Sequence, residues 1–116
     1  MNTKTDDRSR AIEKACVQAC NDCAAACDTC AAACVVERHA DDMAQCILND
    51  LDCAALCRLV AEFVSRNSPD SVALSALCAT ACERCARECA RHDLDHCRQC
   101  AAACTRCAAA CKALVR

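Results

Sequence analysis

Cysteine occupies the apolar positions of a helical pattern along most of this 116-residue chain. Successive cysteines alternate between steps of three and four residues, which places their side chains on one face of an α-helix, at the a and d positions of a heptad. The pattern therefore predicts helices whose inward faces carry thiols. The three dense runs are Cys16, Cys20, Cys23, Cys27, Cys30 and Cys34; Cys78, Cys82, Cys85 and Cys89; and Cys97, Cys100, Cys104, Cys107 and Cys111.

A fourth run with the same spacing is sparser in cysteine. It contains Cys46, Cys53 and Cys57, and Asp50 stands where the pattern would place another thiol. Two alternatives follow for this level of the core. Asn49 and Asp50 supply an oxygen ligand to a metal, or they only cap the layer through hydrogen bonds.

The connections between the runs divide the chain into four helices. The clearest boundary is Asn67-Ser68-Pro69, with Asn67 as a helix stop, Ser68 as an N-cap and Pro69 at the first helical position. Asp42 and Asp93 mark the other two breaks. Because the connections are short, neighbouring helices should be antiparallel. We predict an all-α fold, an antiparallel up-down-up-down four-helix bundle with a cysteine-lined core, and place its helices at about residues 10–37, 42–65, 69–90 and 94–113.

The composition supports this fold. Alanine, the best helix former, occurs 27 times, whereas glycine is absent and proline occurs once. One template, C-x-x-C-A-A-A-C-x-x-C-A-A-A-C, fits both residues 20–34 and residues 97–111. The length suits one compact domain. We expect residues 10–116 to form the bundle, after a flexible N-terminal segment of residues 1–9.

Charge and hydropathy argue against two classes of partner. The net charge of -2 leaves no basic surplus for binding nucleic acid. A membrane-spanning helix would need a run of about 18 apolar residues, which the sequence lacks. The first ten residues are polar and contain no apolar stretch of the signal-peptide kind. We therefore expect a cytoplasmic protein.

Eighteen cysteines in a reducing compartment favour metal binding over disulfides. Positions i and i+4 of a helix have Cβ atoms about 5–6 Å apart, whereas a disulfide needs about 3.5–4.5 Å. A metal with bonds of about 2.3 Å to sulfur spans about 4.5 Å in a linear unit. Cu(I) accepts thiolates at low coordination number, and one ion per thiolate gives a nearly neutral core. Zinc in four-thiolate sites would leave roughly ten buried negative charges. The predicted cargo is therefore multiple Cu(I) ions per chain.

One end of the predicted bundle collects softer non-thiol ligands. The first and third connections lie at the same end of an up-down-up-down bundle, and they bring His39, Met43, His92 and His96 there. Imidazole and thioether groups can pass Cu(I) inward. We interpret this end as the mouth of the bundle and favour His92 among the histidines, because it follows Cys89 by three residues.

These features resemble the bacterial cytosolic copper storage proteins. The resemblance rests on the C-x-x-x-C and C-x-x-C spacings between Cys16 and Cys111 and on the histidine-bearing end. It implies a four-helix bundle that stores many Cu(I) ions in its lumen, serves metal homeostasis and assembles as a homotetramer. It also implies that all eighteen cysteines bind metal and that the histidine-bearing end admits it. A copper chaperone is the candidate partner for delivery.

Three other functions compete with storage. A structural or partner-binding bundle is the least specific, and it gives no reason for eighteen oxidisable side chains. Five C-x-x-C pairs are compatible with a thiol redox enzyme. Such enzymes need an exposed thiol at a helix start, however, and these pairs repeat in mid-helix. An iron–sulfur electron-transfer protein is the third alternative, but the ferredoxin cysteine run is missing. Storage is the preferred hypothesis, and it predicts a protein that is not an enzyme.

Overall fold

Four helices account for most of the chain in the computed structural model, which describes residues 3–115 and the side chains from residue 6 onward. A 3-10 turn, Ala40–Met43, leads into the second helix. No strand occurs between residues 3 and 115, so the predicted all-α class is confirmed. The helices are α1 (Thr3–Val35), α2 (Ala44–Ser65), α3 (Ser71–Ala90) and α4 (Asp95–Val115).

The start of α1 departs most from the predicted boundaries. It lies at Thr3, seven residues before the predicted start at residue 10, and every other helix end lies within two residues of its predicted position. Residues 1 and 2 of the predicted N-terminal segment lie outside the described residues. The division of the chain at residue 10 therefore stays a prediction.

Each helix packs on two neighbours. Helices α1 and α3 both pack against α2 and α4, and the diagonal pair α2 and α4 meets through side chains in the lumen, as in Cys57 and Cys107, whose Sγ atoms are 3.7 Å apart. Cys16 lies beside Cys111, and Cys30, further along α1, lies beside Cys97, which comes earlier in α4. Helices α1 and α4 are therefore antiparallel, as predicted. The molecule measures 57 × 20 × 17 Å. Its length reflects α1, whose 33 residues span about 50 Å.

Helix α2 ends, at the turn before α3, through a residue in the left-handed backbone conformation. Asn67 has φ 57°, its N–H donates to Val64 O at 3.0 Å, and the N–H of Ser68 donates to Phe63 O at 3.0 Å. These two bonds form a Schellman motif, which satisfies carbonyls that the helix leaves unpaired. Asparagine is among the few residues that adopt this conformation readily, which explains why the chain can turn without glycine.

The beginning of α3 differs slightly from the predicted cap. Ser68 Oγ accepts a hydrogen bond from the N–H of Asp70 at 3.2 Å, as an N-cap would, but the continuous α-helix starts at Ser71. Pro69 therefore lies in the turn that precedes the helix. Such one- or two-residue shifts are ordinary at helix ends, where the first turn is irregular.

The core consists largely of sulfur. All eighteen cysteines are completely buried, while buried alanines such as Ala54 and Ala79 allow the helices to approach closely. At the end near the α2–α3 turn, the seam of α2 continues with Val60 and Val64 in place of cysteine. We call this the closed end. None of the helices in the described part of the chain has an apolar stretch long enough to cross a membrane.

The Schellman turn yields the first prediction. Asn67→Val should lower the free energy of unfolding of the metal-free protein by about 1–2 kcal/mol, because a β-branched residue is disfavoured in the left-handed region. Thermal unfolding followed by circular dichroism measures the effect. Asn67→Gly is the matched control, and it should be as stable as the parent or more stable. Equal destabilisation by both variants would mean that the Asn67 side chain, and not its backbone, stabilises the turn.

Candidate metal centre

The eighteen free thiols line the bundle axis as a column of buried sulfur atoms. Helices α1 and α4 face each other through Cys23 and Cys104, with Sγ atoms 3.6 Å apart. Helices α2 and α3 do so through Cys53 and Cys82 at 3.5 Å. Links across the lumen join the two ladders, such as Cys23 to Cys53 at 3.8 Å. We call the whole set the thiol column.

The closest sulfur pairs lie between helices and not along them. Interhelical neighbours approach to 3.5–3.7 Å, as in Cys57–Cys78 at 3.7 Å, whereas the pair Cys53–Cys57 within α2 is 4.0 Å apart. A metal bonded at about 2.3 Å to two sulfurs this far apart would have an S–metal–S angle of about 100–120°. The empty column therefore suits an ion shared by three sulfurs. A linear unit requires the sulfurs to separate towards about 4.5 Å.

Several groups of four thiols have all their sulfur atoms within 4.8 Å of one another. These groups overlap, so that one cysteine belongs to more than one of them. They include Cys20, Cys57, Cys78 and Cys107; Cys23, Cys53, Cys57 and Cys82; Cys23, Cys27, Cys53 and Cys104; and Cys27, Cys85, Cys100 and Cys104. Because members are shared, the column cannot be divided into separate tetrahedral sites without leaving thiols over, and it favours ions that share bridging sulfurs.

Asp50 is the one carboxyl group inside the column among the described residues, and it is fully buried. Its Oδ1 accepts hydrogen bonds from the thiols of Cys85 at 3.1 Å, Cys100 at 3.3 Å and Cys89 at 3.7 Å, and its Oδ2 lies 3.9 Å from Cys46 Sγ. Burial, the largest cause, raises the pKa of Asp50 to about 10. In the empty protein the group is therefore neutral at pH 7 and is held by hydrogen bonds.

The position of Asp50 separates the column into two parts. Cys46 and Cys89 contact it from the histidine-bearing end, and Cys85 and Cys100 contact it from the deeper side. Asn49, the other residue raised by the sequence, is also buried, but its Oδ1 accepts a 2.8 Å hydrogen bond from Gln45 Nε2. The contacts of both residues match the hydrogen-bonding alternative, and the oxygen-ligand alternative stays a prediction.

At the histidine-bearing end, which we call the mouth, His96 faces the thiol column. Its Nδ1 lies 3.6 Å from Cys30 Sγ, 3.8 Å from Cys34 Sγ and 3.6 Å from Cys97 Sγ. The other ring nitrogen, Nε2, is 2.8 Å from Oε1 of Glu37. The imidazole thus joins three thiols to form a four-ligand group whose donor atoms lie within 4.8 Å of one another.

Ionisation within this group is governed by burial and by neighbouring thiols. Burial raises the pKa of Cys97 to about 11 and also raises the pKa of Cys34. Hydrogen bonds from Cys30 and Cys89 lower the pKa of Cys46 instead. Because metal binds the thiolate and not the thiol, loading of this end must remove protons from these thiols.

The other predicted mouth residues lie in different settings. His92 Nε2 is 2.7 Å from Oε2 of Glu88, so its ring, in the turn after α3, is held by a carboxylate near the end of that helix. Met43 is buried at the start of α2, close to the seam position before Cys46. His39 is exposed and begins the 3-10 turn. The imidazole that meets the thiols is therefore that of His96, although sequence spacing favoured His92.

Two carboxylates of the mouth were not identified from the sequence. Glu88 had a local signal, because it lies four residues before His92 in the chain. Glu37 had none, since it meets His96 across 59 residues of chain. Only the packing of the end of α1 against the start of α4 brings that pair together.

The fold and the column define a class of protein: a four-helix bundle with a preformed, thiol-lined metal lumen. Residues 9–116 match the family model described as copper storage protein, and the chain belongs to that family. An uncharacterized cysteine-rich protein of Bacillus subtilis is 41% identical over 84 residues, covering 72% of this chain and 78% of that protein.

Two solved structures extend the comparison to the fold. The apo copper storage protein 3 from Bacillus subtilis is 41% identical, covers 89% of this chain and 98% of its own, and superposes with a TM-score of 0.85. A cytosolic copper storage protein from Streptomyces lividans with five coppers is 39% identical, covers 94% and 96%, and has a TM-score of 0.91.

Asp50 yields the second prediction, on the metal-free protein. A carboxyl whose pKa is raised by folding disfavours the folded state as pH rises above its ordinary value, because the unfolded chain then releases a proton that the folded chain retains. Asp50→Asn should therefore be more stable than the parent at pH 7, by roughly 1–3 kcal/mol. The difference should shrink as the pH falls towards 4.

Chemical denaturation at a series of pH values measures this difference. Asp52→Asn is the matched control, because Asp52 lies on the exposed side of the same helix. Its effect should be small and nearly independent of pH. A constant difference between parent and Asp50→Asn over the whole range would contradict a neutral Asp50 in the folded protein.

Proposed function

We propose that this protein stores many Cu(I) ions as thiolate clusters inside its four-helix bundle. The observation that carries the proposal is the thiol column itself, in which eighteen cysteines are free and fully buried and most neighbouring sulfurs lie 3.5–4.0 Å apart. We assign the metal-ligand role to all eighteen, with His96 as a nitrogen ligand at the mouth.

The arrangement favours Cu(I) over zinc for two reasons. Zinc prefers a tetrahedron of four ligands that it shares with no other ion. Because the four-thiol groups overlap, only some of the thiols could bind zinc in this way. Charge is the second reason. One Cu(I) per thiolate leaves the lumen nearly neutral, whereas zinc would leave several buried thiolates without counter-charge, which a protein interior tolerates poorly.

The empty bundle acts as a preformed container. Neutral buried thiols pack as small apolar groups, so the fold does not depend on metal in the way a zinc finger does. Each ion that enters converts about one thiol to thiolate and releases about one proton. Loading therefore exchanges protons for copper with little change in the net charge of the lumen.

We assign the route of loading to the mouth. His96 stands there with its Nδ1 facing three thiols, while Val60 and Val64 fill the closed end. His92, Met43 and the exposed His39 lie around the same opening, and we propose them as transient ligands that pass ions inward. A copper chaperone that docks at this end would complete the delivery.

We further propose that the protein resides in the cytoplasm and carries out no turnover. Reduced thiols persist in that compartment, and the Streptomyces lividans relative is described as cytosolic. The C-x-x-C pairs have no exposed sulfur with which to attack a substrate disulfide. A thiol redox enzyme is therefore disfavoured by the burial of those pairs.

We propose a homotetramer, as the family resemblance implies. The apolar outer face of α2 is the candidate interface, because Leu48, Leu51 and Leu59 are each at least two-fifths exposed in the single chain. Large apolar side chains that recur along one exposed helix face are typical of subunit contacts.

The third prediction tests storage directly. An anaerobic titration of the reduced protein with Cu(I), in competition with a chromophoric chelator, should show tight uptake of more than about ten ions per chain, whereas zinc should saturate near four or fewer. Uptake of one or two copper ions would overturn storage.

A matched pair of variants locates the bound copper. Asp50→Cys adds a thiol inside the column, and Asp52→Cys adds one on the exposed side of the same helix. Native mass spectrometry of the loaded proteins should show about one additional copper ion for Asp50→Cys and none for Asp52→Cys. Equal counts in the two variants would argue that copper is bound outside the lumen.

The fourth prediction concerns assembly. Leu48→Glu combined with Leu51→Glu should dissociate the tetramer to smaller species, because charged side chains are costly to bury at an apolar interface. Light scattering coupled to size-exclusion chromatography reads the mass directly. Leu77→Glu, an exposed position on α3, is the control and should leave the tetramer intact. An unchanged mass in the α2 variant would place the interface elsewhere.

A further inference from the structure

Two carboxylate–imidazole pairs stand at the mouth, and they differ in what the imidazole reaches. Glu88 lies on α3 and His92 four residues later, in the turn after that helix, so their pair is local in the chain. Glu37 and His96 are 59 residues apart, and their pair joins the end of α1 to the start of α4. Only in the second pair does the free ring nitrogen face thiols, those of Cys30, Cys34 and Cys97.

Glu37 is itself held in place by the end of α1. Its backbone N–H donates to Cys34 O at 3.2 Å, which keeps the chain turned over the last thiol of that helix. From there the carboxylate reaches His96 Nε2 at 2.8 Å, and it is about one-third exposed. The carboxylate is thus anchored to the helix that carries Cys30 and Cys34 while it holds a ring carried by α4.

The direction of this bond determines the chemistry of the ring. A carboxylate accepts a hydrogen bond, so the proton between the two groups belongs to Nε2 of His96. In a neutral imidazole the lone pair then lies on Nδ1, which faces the three sulfur atoms. Without an acceptor at Nε2, the ring could carry its proton on Nδ1 or rotate, and either change removes the nitrogen ligand.

We propose that Glu37 is a positioning residue for copper capture: it holds His96 with the Nδ1 lone pair directed at Cys30, Cys34 and Cys97, so that an arriving Cu(I) meets a preformed nitrogen–sulfur site. The inference deepens and rests on the proposed storage function. Carboxylates that hold the second nitrogen of a metal-binding histidine have this effect in other metal sites, where their loss reduces metal affinity or activity by about 10–100-fold.

The role also explains why the contact spans two helices. The donors of the site come from α1 and α4, and a small relative shift of these helix ends would separate His96 from Cys30 and Cys34. A bond between Glu37 and His96 resists that shift. It therefore fixes both the protonation pattern of the ring and its distance from the sulfurs, which lowers the reorganisation needed when the ion arrives.

The test compares two variants of the full-length reduced protein. Glu37→Ala removes the acceptor, whereas Glu37→Gln keeps an amide oxygen that can accept from Nε2 without carrying charge. Transfer of the first equivalent of Cu(I) from a chromophoric chelator complex should be about tenfold slower in Glu37→Ala and within about twofold of the parent in Glu37→Gln. Asp28→Asn, which breaks an exposed ion pair between Asp28 and Arg58, is the control and should load like the parent.

Nuclear magnetic resonance of the metal-free protein reads the ring independently of copper. Two-bond proton–nitrogen correlations of nitrogen-15-labelled protein should place the His96 proton on Nε2 in the parent and in Glu37→Gln, and should show loss of that single tautomer in Glu37→Ala. In the background of His96→Ala, Glu37→Ala should cause no further slowing, because Glu37 acts through the ring.

The outcomes separate this inference from the storage function. A parent protein that takes up only one or two Cu(I) ions would overturn storage itself. Normal total uptake would leave storage standing, and the inference would then be overturned by any of three results. These are parent-like loading by Glu37→Ala, equal slowing in Glu37→Gln and Glu37→Ala, and further slowing of His96→Ala by Glu37→Ala.

Discussion

Contacts between buried sulfur atoms, most of them 3.5–4.0 Å apart, are the interaction on which the rest of this structure depends. A thiol is small and apolar enough to pack like an aliphatic group while it is protonated. As a thiolate it needs a cation beside it, because an uncompensated buried charge is strongly disfavoured. In the storage function that we propose, the same side chains form an ordinary core in the metal-free protein and bind the ions in the loaded one.

The polar groups of the lumen lie at the mouth of the thiol column and at the level where Asp50 interrupts it. His96 and its partner Glu37 stand at the mouth, and Asp50 lies between the mouth thiols and the deeper ones. At the opposite end the seam passes to Val60 and Val64, which have no ligand atoms. The end that carries His96 is therefore the one that we propose admits metal.

Most of the architecture was predictable because it depends on local periodicity. Steps of three and four residues place cysteines on one helix face wherever the helix lies, and short connections leave antiparallel order as the simple solution. Asn67 marked its turn correctly for the same local reason, since few other residues adopt a left-handed conformation. The start of α1 was missed because no apolar period extends before Cys16, and a helix continues there without one.

By itself, then, the sequence determined the helices, their inward thiol faces and the soft-metal chemistry that eighteen such groups imply. Tertiary structure alone decided which histidine meets the thiols, because His92 and His96 both lie within a helical turn of a cysteine, and only packing turns one ring inward. It also decided that Asp50 lies within hydrogen-bonding distance of three thiols and that Glu37 reaches His96. The physical reason is that these contacts join residues of different helices, and the spacing of residues along the chain does not determine the distances between helices.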